Sequence, residues 1–363
     1  MSATEICLDF LECLGPDTSS SVFVLLDDPA DLVRVSAVSR SWRKFVIANG
    51  FIKSLCSRMF PEISNLTRVV EANSTVTSEA GSSSCAEWKS LEREHKVYCY
   101  LRHSIASNFR EGDCIFESIR ASSTDNFPDE SIENTLEPSD QVDMRPSYWS
   151  SEGRSNPDAS ETLTYSLLSK LCVINEIIIQ PFEAYFQPGN PIYSARTVRF
   201  RMGHSRLALE TSPVIKSQVA TGDNYEWTYV SPEFRMLQEN TLQSFKLPRP
   251  ALCIGGILQI ELLGRVQVQE MDGLYYICVC HVEALGHPLT PHLDVEFVDG
   301  GREKILRWQQ PQAGEDLAAT HVETPHSFRW YALRERIRHL RPILGNLLGR
   351  VESDSDEEPH DVI

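Results

Sequence analysis

The chain has 363 residues, 41% of them hydrophobic, and a net charge of −17 from 51 acidic and 34 basic residues. That length suits two or three domains, and the acidity argues against a nucleic-acid binder, which needs a basic face to neutralise phosphates. No apolar run reaches the roughly eighteen residues of a membrane span, and Met1-Ser2-Ala3-Thr4-Glu5 has neither the basic start nor the apolar core of a signal peptide, so the nucleus or cytoplasm is the expected location.

Residues 10–60 read as a small helical unit. Leu14-Gly15-Pro16-Asp17 precedes Val22, Val24, Leu25 and Leu26, with Pro16 setting the entry to a helix and Asp17, Thr18 or Ser19 available as its cap. Asp28-Pro29-Ala30-Asp31 is a strong start signal for the next helix: a carboxylate at the cap, Pro at the first helical position and a second acid at the third. From there Leu32, Val35, Val38, Trp42, Phe45 and Val46 recur at helical spacing, so one apolar stripe runs through a break at residues 36–39. The spacing predicts three short helices, a unit too small to bury much surface without a partner or neighbour.

Residues 74–84 are rich in Ser, Thr, Glu and Gly and read as a flexible loop. An amphipathic helix follows over residues 86–107, with Trp88, Leu91, Tyr98, Leu101 and Ile105 on one side. From about residue 112 the pattern turns to β, with strands expected over residues 175–181, 197–201, 256–268 and 274–284. Leu258, Ile260 and Leu262 face one way and Gln259 and Glu261 the other, so the sheet has a core side, and Met271-Asp272-Gly273 signals a hairpin between the last two strands. Helical pattern is nearly absent here, which favours an antiparallel sandwich. Cys278 and Cys280 would share one face of a strand as core thiols, and the ten scattered cysteines offer no metal-ligand spacing; no metal or cofactor is expected.

Residues 291–324 are mixed, with Gly300-Gly301 suggesting a surface excursion. A basic amphipathic helix is expected over residues 328–348, with Trp330, Leu333, Ile337, Leu340 and Leu344 on one face and Arg334, Arg336, Arg338 and Arg341 on the other. Residues 351–363 form an acidic tail expected to be disordered, in which Ser353 and Ser355 have acids at the third position, as acidophilic kinases prefer. No Gly-x-Ser-x-Gly elbow, phosphate-binding Gly-Lys loop or His-Glu-x-x-His helix is present, so catalytic residues are not expected and the chemistry points to recognition.

Leu14 with Pro16, the Leu25-Leu26 pair, Asp31-Leu32, Val35, Val38 and Ser39-Arg40-Ser41-Trp42-Arg43 together resemble the F-box family. Ala121-Ser122-Ser123, residues 134–140, Tyr148-Trp149-Ser150-Ser151 and Glu161-Thr162-Leu163-Thr164-Tyr165 resemble the discoidin-type, galactose-binding-like jelly roll. The resemblance implies a plant-type F-box protein of mixed class, α plus all-β. Its expected parts are a three-helix F-box over residues 8–62, a linker over 63–111 and an antiparallel jelly-roll β-sandwich over 112–290. An extension with the C-terminal helix would follow over 291–350, then the acidic tail.

It further implies a substrate-recognition subunit of a Skp–cullin–F-box ubiquitin ligase. Leu14, Pro16, Leu25, Leu26, Leu32, Val35, Val38 and Trp42 would be buried against a Skp-family adaptor, and through it cullin, or in the unit's own core. A target protein of unknown identity would be held by the sandwich. Two aromatic loop segments are the candidate target site: Tyr185, Phe186 and Tyr193 in one, Tyr225 and Trp227 in the other. The same rings also suit closure of the core ends. The rival assignment is a carbohydrate- or peptide-binding jelly roll acting outside a ligase.

Overall fold

The computed structural model describes residues 9–72, 83–106, 111–142, 144–206 and 224–310. The basic helix expected over 328–348, the acidic tail with Ser353 and Ser355, and most of the Ser/Thr-rich loop lie outside the described residues. Helix α1 (Phe10–Val24) starts earlier than the expected entry at Pro16, because Asp9 caps it by accepting from the Leu11 amide at 2.9 Å. It bends at Gly15 (φ 70°), since Pro16 lacks an amide for the helical ladder and disfavours helical backbone in the residue before it. Helix α2 (Pro29–Ser36) begins at its Asp28-Pro29 signal, and α3 (Arg40–Ala48) begins after a break in which Ser39 accepts from the Trp42 amide.

The three-helix reading misses α4 (Phe51–Met59): its N-cap is Gly50 in the left-handed region (φ 60°), with no capping side chain to mark a start. These helices pack around Phe23, whose ring centroid lies 5.7 Å from Trp42, 5.3 Å from Phe45 and 5.4 Å from Phe51. Ser19, one turn earlier on the same face, is also buried.

Strand β1 (Arg68–Glu71) and helix α5 (Ser83–Ala106) follow, the latter burying Val97, Tyr98 and Leu101 against the helical unit. The β region opens with β2 (Gly112–Asp113), β3 (Ile115–Ala121), the small pair β4 (Gln141–Val142) and β5 (Arg145–Pro146), and β6 (Trp149–Ser150). Its long strands are β7 (Glu161–Leu167), β8 (Leu171–Pro181) and β9 (Ala195–Ser205). After them come β10 (Tyr225–Val230), β11 (Phe234–Arg235), β12 (Gln243–Ile254), β13 (Ile257–Arg265) and β14 (Cys278–Pro288). One sheet has the order β10-β9-β13-β7-β3 with β11 beside β9, and the other β12-β8-β14-β2 with β6 beside β14. Pairing within both sheets is antiparallel and the chain crosses from sheet to sheet, the expected jelly-roll sandwich. Trp149, Ile177, Phe200 and Leu258 are fully buried between the sheets.

Gly273 takes the positive φ (72°) that Asp-Gly predicts, and the turn closes a small antiparallel hairpin in which Val268 bridges Tyr275 and the Gln269 amide donates to the Leu274 carbonyl at 2.8 Å, but the long strands on either side do not pair with each other. β13 lies between β7 and β9 in one sheet while β14 pairs with β8 in the other, so the turn carries the chain across the sandwich. The run Leu171-Cys172-Val173-Ile174 explains how the helices attach. Cys172 and Ile174 face the sandwich core, whereas Leu171 and Val173 face outward into a second core shared with Leu55, Tyr98 and Leu101. A continuous apolar run is what a strand buried on both faces requires.

Residues 291–308 are not a surface excursion. They form the hairpin β15 (Leu293–Val298) and β16 (Glu303–Trp308), whose Leu293, Val295, Leu306 and Trp308 enter the same second core. Intervening charges such as Asp294, Glu296 and Arg307 break the appearance of an apolar segment without breaking its alternation. β1 adds to β16 in parallel, Arg68 opposite Ile305 through Glu71 opposite Trp308. Residues through Gln310 thus belong to one unit.

Candidate functional site

Two surfaces of this unit are candidates for recognition. The first lies on the opening helices. Of the eight residues expected to meet an adaptor, Leu14, Pro16, Leu25 and Val38 are exposed, Leu25 by 76% and Val38 by 62%. Leu26, Val35 and Trp42 are partly buried and pack against the second core, and Leu32 is inside it at 3% exposure. Trp42 also donates from Nε1 to the Asp9 carboxylate at 2.8 Å, which ties α3 to the start of α1. Val38 sits in the break between α2 and α3 rather than on the apolar stripe, which is why it projects outward. The periodicity misses three further exposed apolar residues, Val22, Val24 and Val33. Their signal is apolar side chains at positions next to Phe23 and Leu32, about 100° round the helix from the buried residue.

Beside Val33 and Ala37 opens a cleft of about 270 Å³, lined also by Leu32, Ile52, Arg43, His95 and Cys99. Burial, and then the nearby Arg43, pushes the His95 imidazole toward its neutral form, while burial raises the Cys99 thiol to about 11. Neither group is primed for acid–base or nucleophilic work, so the cleft suits an apolar side chain.

The second surface is the loop end of the sandwich, where Tyr148 stacks on Phe182 with centroids 3.9 Å apart and 7° between planes. Phe182 in turn meets Tyr185 at 5.9 Å and Phe186 at 6.1 Å, and both of these rings are exposed. Tyr193 differs from the expectation of an exposed anchor: it is buried, donates its hydroxyl to Gln187 at 2.6 Å, and burial pushes it up to about 12. Tyr225 and Trp227 do not lie in a loop. They stack 5.2 Å apart on the edge strand β10, opposite Ser205 and Gly203 at the far end of β9 from the Tyr185 loop. The structure therefore separates the two candidate segments.

The landmarks Ser122-Ser123, Trp149-Ser150-Ser151 and Glu161 meet in a polar knot beneath the loop end, buried at Ser151, Glu161 and Arg265 and open to solvent at Ser122. Ser122 and Ser123 donate to the Glu161 carboxylate, which also pairs with Arg265. Arg265 spends its remaining donors on Ser151 Oγ at 3.0 Å and on the carbonyls of Glu152 (2.8 Å), Tyr275 (2.8 Å) and Ala159 (3.2 Å). A planar five-donor group is the side chain that can hold several loops at once. Loops 122–125, 151–159 and 266–276 are thereby fixed as a platform.

Among the described residues no three metal-ligating side chains converge, and no described helix is long and apolar enough to cross a membrane.

No family model matches the chain. It is similar to the F-box protein At4g00755 of Arabidopsis thaliana, at 46% identity over 358 residues, covering 94% of this chain and 93% of that protein. Among solved structures, a family 32 carbohydrate-binding module from C. perfringens NanJ in complex with galactose matches with a TM-score of 0.31 and 9% identity, covering 48% of this chain and 99% of that one. The family 32 module of Streptococcus pneumoniae EndoD gives 0.32 and 12% over 47% of this chain and 97% of that one. A fucolectin from Morone saxatilis serum gives 0.32 and 12% over 50% of each chain. The helices at residues 10–59, their outward apolar side chains and the near full-length identity to the Arabidopsis protein place this chain in the F-box protein family.

Proposed function

We propose that this chain is the substrate-recognition subunit of a Skp–cullin–F-box ubiquitin ligase, with the opening helices bound to the Skp-family adaptor and the sandwich bound to a target protein. The observation that carries this reading is the set of outward apolar side chains Leu14, Val22, Leu25, Val33 and Val38, on the opening helices and the turn between them, in a member of the F-box family. A free monomer gains nothing by displaying such side chains, whereas each large side chain buried in a complex contributes roughly 1.5 to 3 kcal/mol before the cost of association. The cleft beside Val33 receives an apolar side chain of the adaptor.

The mechanism is positional. β8 runs from the helical core at Leu171 to the loop end after Pro181, a span of roughly 30 Å for an 11-residue strand. Adaptor and target are held at opposite ends of one packed unit, and a target lysine is kept at high effective concentration beside the ubiquitin carrier delivered through adaptor and cullin. The test is copurification of the full-length chain with a Skp-family adaptor. Leu25→Asp with Val38→Asp is expected to abolish it while the thermal transition is unchanged. Retention of the adaptor by that double variant would refute the assignment of the surface.

A further inference from the structure

We propose that the loop end of the sandwich grips an extended arginine- or lysine-bearing segment of its target protein, an inference that rests on the recognition role proposed above. The surface itself is aromatic. Phe127 is 78% exposed on the loop three residues before Glu130, which accepts the Tyr148 hydroxyl, and Tyr185 and Phe186 are exposed where they meet the stack of Tyr148 on Phe182. Tyr185 and Phe186 are held by their ring contacts, and the backbone that carries Phe127 is held by hydrogen bonds. The Glu130 amide donates to the Asn126 carbonyl across Phe127, and Asn134 donates to the carbonyls of both Asp129 (2.7 Å) and Tyr148 (2.9 Å). Ordered exposed aromatics are the anchors that partner surfaces use most, because little rotamer freedom is lost on binding.

Charge selects the occupant. Tyr148 donates its hydroxyl to Glu130 at 2.6 Å, and Tyr276 donates to Asp272 at 2.6 Å, so two carboxylates are fixed at the rim of the aromatic patch by neutral donors that leave their charge intact. Asp125 is placed beside them by its amide bond to the Ser150 carbonyl. Its carboxyl is raised by burial and then by the like charges of Glu130, Asp272 and Glu152. The cations nearby are committed, Arg154 to Glu152 at 2.9 Å and Arg265 to Glu161. An uncompensated acidic rim around aromatic faces favours a guanidinium or ammonium, which gains both from the ring quadrupole and from the carboxylates. The same field repels acidic segments and gives a neutral sugar no charge contribution.

The experiment uses the full-length chain copurified with its adaptor and fluorescence anisotropy of labelled dodecapeptide pools. One pool mixes Arg and Lys with Leu and Ile; its counterpart carries citrulline and acetyl-lysine at the cationic positions. The cationic pool is expected to bind about tenfold or more tighter than its neutral counterpart, with affinity falling as salt is raised. Asp125→Asn with Asp272→Asn, and separately Phe127→Ala, are expected to remove most of that difference without altering adaptor copurification or melting. Equal binding of both pools, binding of neither, indifference to the Asp variants, or glycan-array binding in place of peptide binding would each overturn the inference. In those outcomes an intact adaptor complex leaves the ligase assignment standing, whereas failure of copurification alone counts against that assignment.

Discussion

Arg249 of β12 donates two hydrogen bonds, at 2.8 and 3.1 Å, to the buried carboxylate of Glu62, which follows α4. The pair spans the seam between the helices and the sandwich, and Arg249 also lies 5.4 Å from the Tyr229 ring centroid. Its two partners are not equivalent. Arg249→Ala strands a carboxylate inside the protein and is expected to cost about 3 kcal/mol, whereas Glu62→Gln lets the partly exposed guanidinium relax into water and costs about 1 kcal/mol. Adding Glu62→Gln to Arg249→Ala should recover part of the loss. Urea denaturation of the three variants reads the order directly.

The burial of Leu32 separates folding from binding. Leu32→Glu places a charge in the shared core and should unfold the helical unit, losing about 3 kcal/mol or more. Leu25→Asp and Val33→Asp change exposed positions and should shift stability by no more than about 0.5 kcal/mol. Circular dichroism melts beside adaptor copurification will distinguish the two kinds of loss.

His204 predicts an acid-sensitive edge. Its ring is buried against Phe297, with centroids 4.5 Å apart, and burial followed by Lys304 lowers its pKa, Glu226 acting in the opposite sense. A histidine with a lowered native pKa leaves the unfolded chain to take up the proton first. Its contribution is therefore fully present above the unfolded value of about 6.5 and is lost as pH falls below it. Glu226, whose pKa is lowered chiefly by its hydrogen bond from Lys304, loses its contribution at still lower pH. The expected result is a urea midpoint that falls between pH 7.5 and 5.5, with a shallower fall in His204→Asn. Equal slopes would remove His204 from the account.

Gly203 and Gly189 make a contrasting pair. A Cβ at Gly203 would sit 1.9 Å from the Glu226 carbonyl oxygen, so Gly203→Ala must push β10 from β9 and should cost about 3 kcal/mol. Gly189 has open space but φ 79°, and Gly189→Ala should cost only about 1 kcal/mol of backbone strain. Melting temperatures of the two variants check the ranking.

Much of this architecture is legible in the chain wherever a local rule is also the global one. Asp28-Pro29 starts α2 because capping is decided within one turn, and the alternation of Leu258, Ile260 and Leu262 marks an inner face because one sheet covers it. Phe23 is harder to read. It lies among Val22, Val24, Leu25 and Leu26, and only packing against Trp42, Phe45 and Phe51 reveals that it is the most deeply buried of the five. The Asp272-Gly273 turn closes its local Val268–Tyr275 bridge while the long strands on either side go to different sheets, since turn chemistry fixes backbone angles and not which strands pair. Tyr225 and Trp227 stand out in the sequence as an aromatic-rich segment after Asp223-Asn224, and their pairing with β9 is a long-range fact that composition does not encode. Glu161 and Arg265 are 104 positions apart, and nothing local announces the knot they close.

The parallel seat of β1 beside β16 has a consequence for how the protein is made. Leu289, Leu293, Val295, Leu306 and Trp308 complete the core beneath the opening helices, so that core stays unfinished on a ribosome until residue 308 has emerged. A chain broken off by premature termination or clipped ahead of β15 would lack both the splint and the floor of the helical unit. Such fragments would leave Leu55, Tyr98 and Leu101 without part of their cover, so the helical unit reaches its full stability only in molecules synthesised nearly to the end.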